Sequence, residues 1–221
     1  MTPASLSVDC VGLAGDLAAD LVPLAQAAGR ALDLGEDFSG IRIYGDDLPG
    51  DGDAWYRLEA GAGPDDLPVL GLFCHGNCFD PSARPRDAVQ PIPEVWEQSP
   101  APREVSVGAA EGFSPDRAAV YLHHHLLTAR DVVRGEVTGR NLPAALAEAF
   151  AEAWAVHVDG RLARHGLPGY PLDERRGRFA RIFSLAGILL PDHWQVFQSL
   201  WDGALPSQRD VLEVVRRLPG L

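Results

Sequence analysis

Hydrophobic periodicity changes once along the chain, and that change decides the class of fold. Before about residue 110, apolar residues fall in short runs at 41–44, 54–59 and 67–73, separated by Gly/Asp/Pro clusters at 46–53 and 61–66. Runs of this length, bounded by turn residues, read as strands in a small antiparallel or mixed sheet. The first 35 residues read instead as a helix, with Leu17, Leu21, Leu24, Ala28 and Leu32 at helical spacing, Gly35 as a stop and Pro23 as a point where a kink is expected. A further strand is expected at 104–107, after a stretch at 80–103 whose six prolines suit an extended excursion.

From Ser114 onward the pattern is helical. Ser114-Pro115-Asp116 combines a hydroxyl N-cap, proline at the first helical position and an acid on the positive end of the helix dipole. That helix is expected to run to about Gly135. A second is expected from near Pro143 to about Arg164, with Gly166 ending it, a third within 172–189, and a short terminal one over 207–218. Strands first and helices afterwards is segregated α+β, not alternating βαβ. At 221 residues the chain is long enough for one core, so a single domain over 1–221 is expected, with helix, sheet and long loop in 1–112 and helices in 113–221.

Charge narrows the partners. The net charge is −12, from 19 Lys+Arg against 31 Asp+Glu, and a duplex binder needs a basic face to displace counterions, so nucleic acid is not an expected partner. No 18-residue apolar run exists and residues 1–9 lack a basic start and an apolar core, so neither a membrane span nor a secretory leader is expected. Cys10, Cys74 and Cys78 are an odd count and do not suggest a disulfide framework. A cytoplasmic location follows as the expectation.

The most informative segment is Tyr121-Leu122-His123-His124-His125-Leu126-Leu127-Thr128-Ala129-Arg130-Asp131. At about 100° per residue, Leu122, Leu126, Ala129 and Val133 form an apolar stripe, and His124, Thr128 and Asp131 form a nearly opposite one. His125 lies beside the apolar stripe. Three consecutive side chains on a helix cannot reach one metal. On the next helix Leu146, Phe150, Ala153 and His157 share one face, and Glu148, Glu152, Ala155 and Asp159 share the other. If these polar faces oppose each other, His124 meets Glu152, and imidazole with carboxylate is common material for a divalent metal site. The simpler reading makes the histidines structural, hydrogen-bonded to backbone, Asp131 or Glu152.

The order of helix, small sheet, motif helix and glutamate helix resembles a compact zincin, of the gluzincin type of zinc metallopeptidase. In that family the motif helix carries His-Glu-x-x-His and the following helix supplies a third ligand, Glu. His124-His125-Leu126-Leu127-Thr128 stands where the pentapeptide would be, and Glu152 stands at the third-ligand position. The resemblance covers about residues 15–165. It implies that the strand Val69-Leu70-Gly71-Leu72-Phe73 is the sheet edge that receives extended substrates.

The departures from the family decide the functional expectation. Thr128 would replace the second zinc ligand and is a poor donor, and His125 would replace the glutamate that takes a proton from metal-bound water. Four residues after His123 stands Leu127, and four after His125 stands Ala129, so no other register restores the pair. The expectation is a zincin-like protein with an eroded peptidase site, not an enzyme, that binds a peptide or protein partner and holds no cofactor. The alternative is a metal-dependent hydrolase with a nonstandard zinc site at His124 and Glu152, completed by Asp131.

Three other features carry weaker signals. Cys74-His75-Gly76-Asn77-Cys78 lacks a second Cys pair for zinc and reads as a turn, with Phe73 and Phe79 entering the core on either side. The arginine-rich run from Arg161 to Arg181 reads as a solvated surface or a site for an anion. Trp194, Phe197, Leu200 and Trp201 share helical phase and could form a face for self-association.

Overall fold

The computed structural model describes residues 6–45, 54–60, 67–74, 76–79, 113–140, 142–185 and 188–218. Strand β1 (Ser7–Val11) leads into helix α1 (Gly15–Ala31), followed by β2 (Gly40–Gly45), β3 (Ala54–Glu59) and β4 (Val69–Cys74). Helices α2 (Pro115–Val133), α3 (Ala147–Arg164), α4 (Leu172–Phe183), α5 (Pro191–Trp201) and α6 (Gln208–Arg217) complete the α+β chain. The expected strand at 104–107 and the proline-rich stretch at 80–103 lie outside the described residues. No described helix is long and apolar enough to cross a membrane.

The sheet is mixed, in the order β1-β2-β4-β3. β1 pairs parallel with β2, β2 pairs parallel with β4, and β3 pairs antiparallel with β4. The segment 7–11, expected to be part of the first helix, is therefore a strand. Its alternation is short, with Val8 buried between exposed Ser7 and Asp9, and so is overshadowed by the longer helical repeat that follows. Pro23 lies inside α1 without ending it.

One expectation about the sheet is overturned. Val69, Leu70, Gly71, Leu72 and Phe73 are not an edge strand, because β4 is bonded to β2 on one side and β3 on the other. The physical reason is visible in the residues: a nearly continuous apolar run marks a strand covered on both faces and flanked on both sides. Addition of an extended substrate as a new strand alongside those five residues is thereby excluded. The antiparallel strand β3 has β4 as its single partner among the described residues.

One face of the sheet, carrying Ile41, Ile43, Leu70 and Leu72, joins Leu17, Leu21, Ala25 and Ala28 of α1 in a core that continues through α2 and α3 to Val211 and Val215 of α6. Tyr44 and Phe73 form a separate buried pair, stacked at 4.5 Å between ring centroids. Phe73 therefore does not share the main core with Phe79, because strand alternation turns it to the other face. There the Tyr44 hydroxyl donates to Glu59 Oε1 at 2.5 Å, and Arg57 lies 5.2 Å from the Tyr44 ring centre.

Helix ends follow their local signals. The Ser114 hydroxyl accepts from the Arg117 N–H at 3.3 Å, and α2 stops just before Gly135, whose φ is +71°. A single 3-10 turn at Ala144–Leu146 precedes α3, and Gly166 follows it with φ +66°. The helix expected within 172–189 ends at Phe183, and Pro191 starts a separate α5. On α5, Phe197 is buried while Trp194 is 42% exposed, so that helix packs inward with Phe197 and leaves Trp194 at the surface.

Candidate functional site

Both motif helices are buried nearly all round. On α2 the run from Tyr121 to Ala129 is buried without interruption, and on α3 Glu152 and Asp159 are buried along with their apolar neighbours. Their polar stripes thus face protein, and each ionisable group there requires a partner to offset lost hydration.

Asp159 is the hub. His124 donates through Nδ1 to its Oδ1 at 2.9 Å, and the Tyr170 backbone N–H donates to the same oxygen at 3.2 Å. Arg175 of α4 donates through Nε to Oδ2 at 2.7 Å, with Nη2 2.6 Å from the same atom. Burial alone would raise the Asp159 pKa, but Arg175 and His124 outweigh it and hold the carboxylate below its usual range. An ionised carboxylate only accepts, so the hydrogen on Nδ1 of His124 is fixed by Asp159 and the other ring nitrogen is left to act as acceptor while the ring is neutral.

Arg175 reaches a second acid. Its Nη1 lies 3.4 Å from Glu152 Oε1, two helical turns before Asp159 on the same stripe. Burial pushes the Glu152 carboxyl above its ordinary value, with Arg175 and Arg178 opposing the rise. The Arg175 guanidinium, 1% exposed, is driven further above its already high range by the two carboxylates despite its burial. Tyr170 lies beneath this cation with its ring centre 5.0 Å away.

The expected meeting of His124 with Glu152 is replaced by two linked pairs, His124 with Asp159 and Glu152 with Arg175. Asp131 goes elsewhere: its Oδ2 accepts from Arg161 Nη2. Burial raises Asp131 to about 7 even so. The Thr128 hydroxyl donates to the His124 carbonyl at 2.9 Å, a turn back on its own helix. His125 Nδ1 is 2.7 Å from the Tyr56 hydroxyl of β3, and burial holds its pKa well below the ordinary value, so the ring is neutral. His125 Nε2 is buried with no hydrogen-bond partner among the described residues. His123 donates through Nδ1 to the Ala119 carbonyl at 2.7 Å.

These residues do not fit a zinc ion. Glu152 and Asp131 are each held by an arginine, Thr128 is turned onto the backbone, and a tetrahedral site needs three protein donors converging on one point. Among the described residues no group of three His, Cys, Asp or Glu is placed to hold a metal. The Cys74 thiol is fully buried and donates to the Tyr44 carbonyl at 3.6 Å, and burial pushes its pKa well above the ordinary value. A thiol in that state is a poor nucleophile.

Arg175 is the residue that sequence reasoning missed. It sits within Asp173-Glu174-Arg175-Arg176, which reads as exposed helix surface. A usable signal existed: two acids on one stripe of an otherwise apolar helix require a cation, and an arginine-rich run follows that helix. Comparison with models of known families, with curated proteins and with solved structures gives no match.

Proposed function

We propose that this chain is a zincin-like protein in which a salt-bridge network stands where metal chemistry would be, and that it works by binding an extended polypeptide without cleaving it. One observation carries the reading: the Arg175 guanidinium lies between Glu152 and Asp159, supplying within the protein the positive charge that the third-ligand carboxylate would otherwise find in a metal ion. Two cations on one buried carboxylate repel strongly where the dielectric is low. The observed order, β1, α1, β2 to β4, α2 and α3, keeps a helix and sheet ahead of the two helices that carry His124 and Glu152.

The reading puts peptide contact beside β3, which pairs antiparallel with β4 and touches the histidine cluster through Tyr56. An extended peptide is recognised through main-chain hydrogen bonds and through pockets for its alternate side chains. Cys10, Cys74 and Cys78 form no disulfide with one another, which suits a cytoplasmic setting for this protein.

The test is a screen of the chain against a library of extended peptides, followed by backbone NMR with the selected peptide. The expected result is an intact peptide whose addition shifts the amide resonances of residues 54–59 more than those of β1. Cleavage of the peptide, or shifts confined to residues outside β3, would contradict the reading.

A further inference from the structure

Away from the Asp159 hub, the C-terminal parts of α1, α2 and α3 border a partly open cavity of about 430 Å³. Its wall divides by chemistry. Leu32, Leu127, Leu162 and Leu167 give it an apolar side, and Arg130, Arg161 and His165 give it a basic one, with Asp33 as the acid on the wall. The volume lies within the range that small-molecule sites occupy, and the wall is more polar than apolar, with leucines set beside convergent basic groups.

The charge on this wall is not fully answered by the protein. Arg161 is paired with Asp131 and lies 3.3 Å from Glu136. Arg130 is different. Its Nη1 donates to the Leu32 carbonyl at 2.8 Å, and it has no carboxylate partner among the described residues. That bond answers the negative end of the α1 dipole, and the guanidinium makes no other hydrogen bond among the described residues. The Nε atoms of Arg130 and Arg161 are both buried with no hydrogen-bond partner among the described residues. A half-buried guanidinium with a buried Nε–H still unpaired among the described residues, beside leucines, is suited to an oxyanion attached to an apolar body.

We infer that the cavity between α1, α2 and α3 binds a small organic oxyanion, with Arg130 as its main charge partner and Leu127, Leu162 and Leu167 around its apolar part. Carboxylates and phosphomonoesters can each offer two oxygens to an arginine fork, so the experiment separates the two.

Calorimetric titration with 3-phenylpropionate, phenyl phosphate, inorganic phosphate and 3-phenylpropan-1-ol tests the inference. The expected result is saturable binding of 3-phenylpropionate or phenyl phosphate, with inorganic phosphate and the alcohol each about tenfold weaker or more. The stronger of the two organic anions identifies the head group. Arg130→Gln should weaken that ligand about tenfold or more, and Arg130→Lys should weaken it less. Because Arg130 also holds the end of α1, the His165 imidazole NMR signals of the unaltered protein give a second readout, and they should move on binding. Saturable binding of neither organic anion, equal binding of the alcohol or of inorganic phosphate, no movement of His165, or affinity unchanged in Arg130→Gln would each overturn it.

Discussion

Arg175 donates from Nε to Asp159 Oδ2 at 2.7 Å, and both side chains are almost wholly removed from water. The pair is completed by His124 on the other carboxylate oxygen and by Glu152 on the far side of the guanidinium. Four ionisable groups from three helices thus share one buried network, which ties α4 to α2 and α3. Its stability is expected to depend on completeness, because removing one member leaves a buried charge with too little compensation.

Arg175→Met is the direct check on that dependence. It leaves Glu152 and Asp159 buried without the cation they share, and a loss of about 3–5 kcal/mol is expected in denaturant unfolding. The triple variant Arg175→Met with Glu152→Gln and Asp159→Asn should recover a substantial part of the loss. A single variant as stable as the unaltered protein would show that the network carries no such weight.

Asp159→Asn should cost more than Glu152→Gln. Asp159 accepts from His124, from the Tyr170 backbone and from Arg175, whereas Glu152 has a longer contact with Arg175 and a pKa already raised by burial. Urea midpoints of the two variants measured side by side give the order, and equal or reversed midpoints would contradict it.

Asp131 and His157 should oppose each other as pH changes. Asp131 is raised from 3.8 to about 7, so the folded state keeps a proton that the unfolded state loses, and its contribution to stability falls as pH rises through that interval. His157, which burial and then Arg161 and Arg164 lower from 6.5 to about 4, stays neutral in the fold, so its contribution is complete above 6.5 and is lost as pH falls toward 4. Relative to the unaltered protein, Asp131→Asn should gain stability from pH 4 to 7, and His157→Gln should gain it from pH 6.5 down to 4. Parallel stability–pH curves would rule out both assignments.

Gly160 of α3 is packed directly against the backbone of Trp201 at the end of α5, and a Cβ there would collide with the Trp201 carbonyl. A backbone atom cannot rotate away as a side chain can. Gly160→Ala is therefore expected to push α3 and α5 apart and lower stability by about 1–3 kcal/mol, despite the better helix propensity of alanine. A rise in melting temperature would contradict that packing.

Much of the helical half was legible because its signals are local. Ser114, Pro115, Gly135 and Gly166 each act on the turn in which they sit. Strand β3 coincides with the expected run at 54–59 because turn residues bound it on either side. The order of strands was not legible: β4 follows β3 in sequence yet also pairs with β2, and nothing local in 69–74 encodes two partners. At the candidate site, His124 and the Glu152/Asp159 stripe could be found from helical phase alone. Which acid His124 meets is set by how α2 crosses α3, and the cation comes from α4, 16 residues beyond Asp159. Such partnerships arise from tertiary packing, so periodicity carries no trace of them.

The most direct measurement is elemental analysis of untagged protein after incubation with excess zinc and removal of the unbound metal. With Arg175 holding Glu152 and Asp159, the expected result is far less than one zinc per chain. About one zinc per chain, lost in both His124→Ala and Glu152→Ala, would contradict the central claim and make these residues metal ligands.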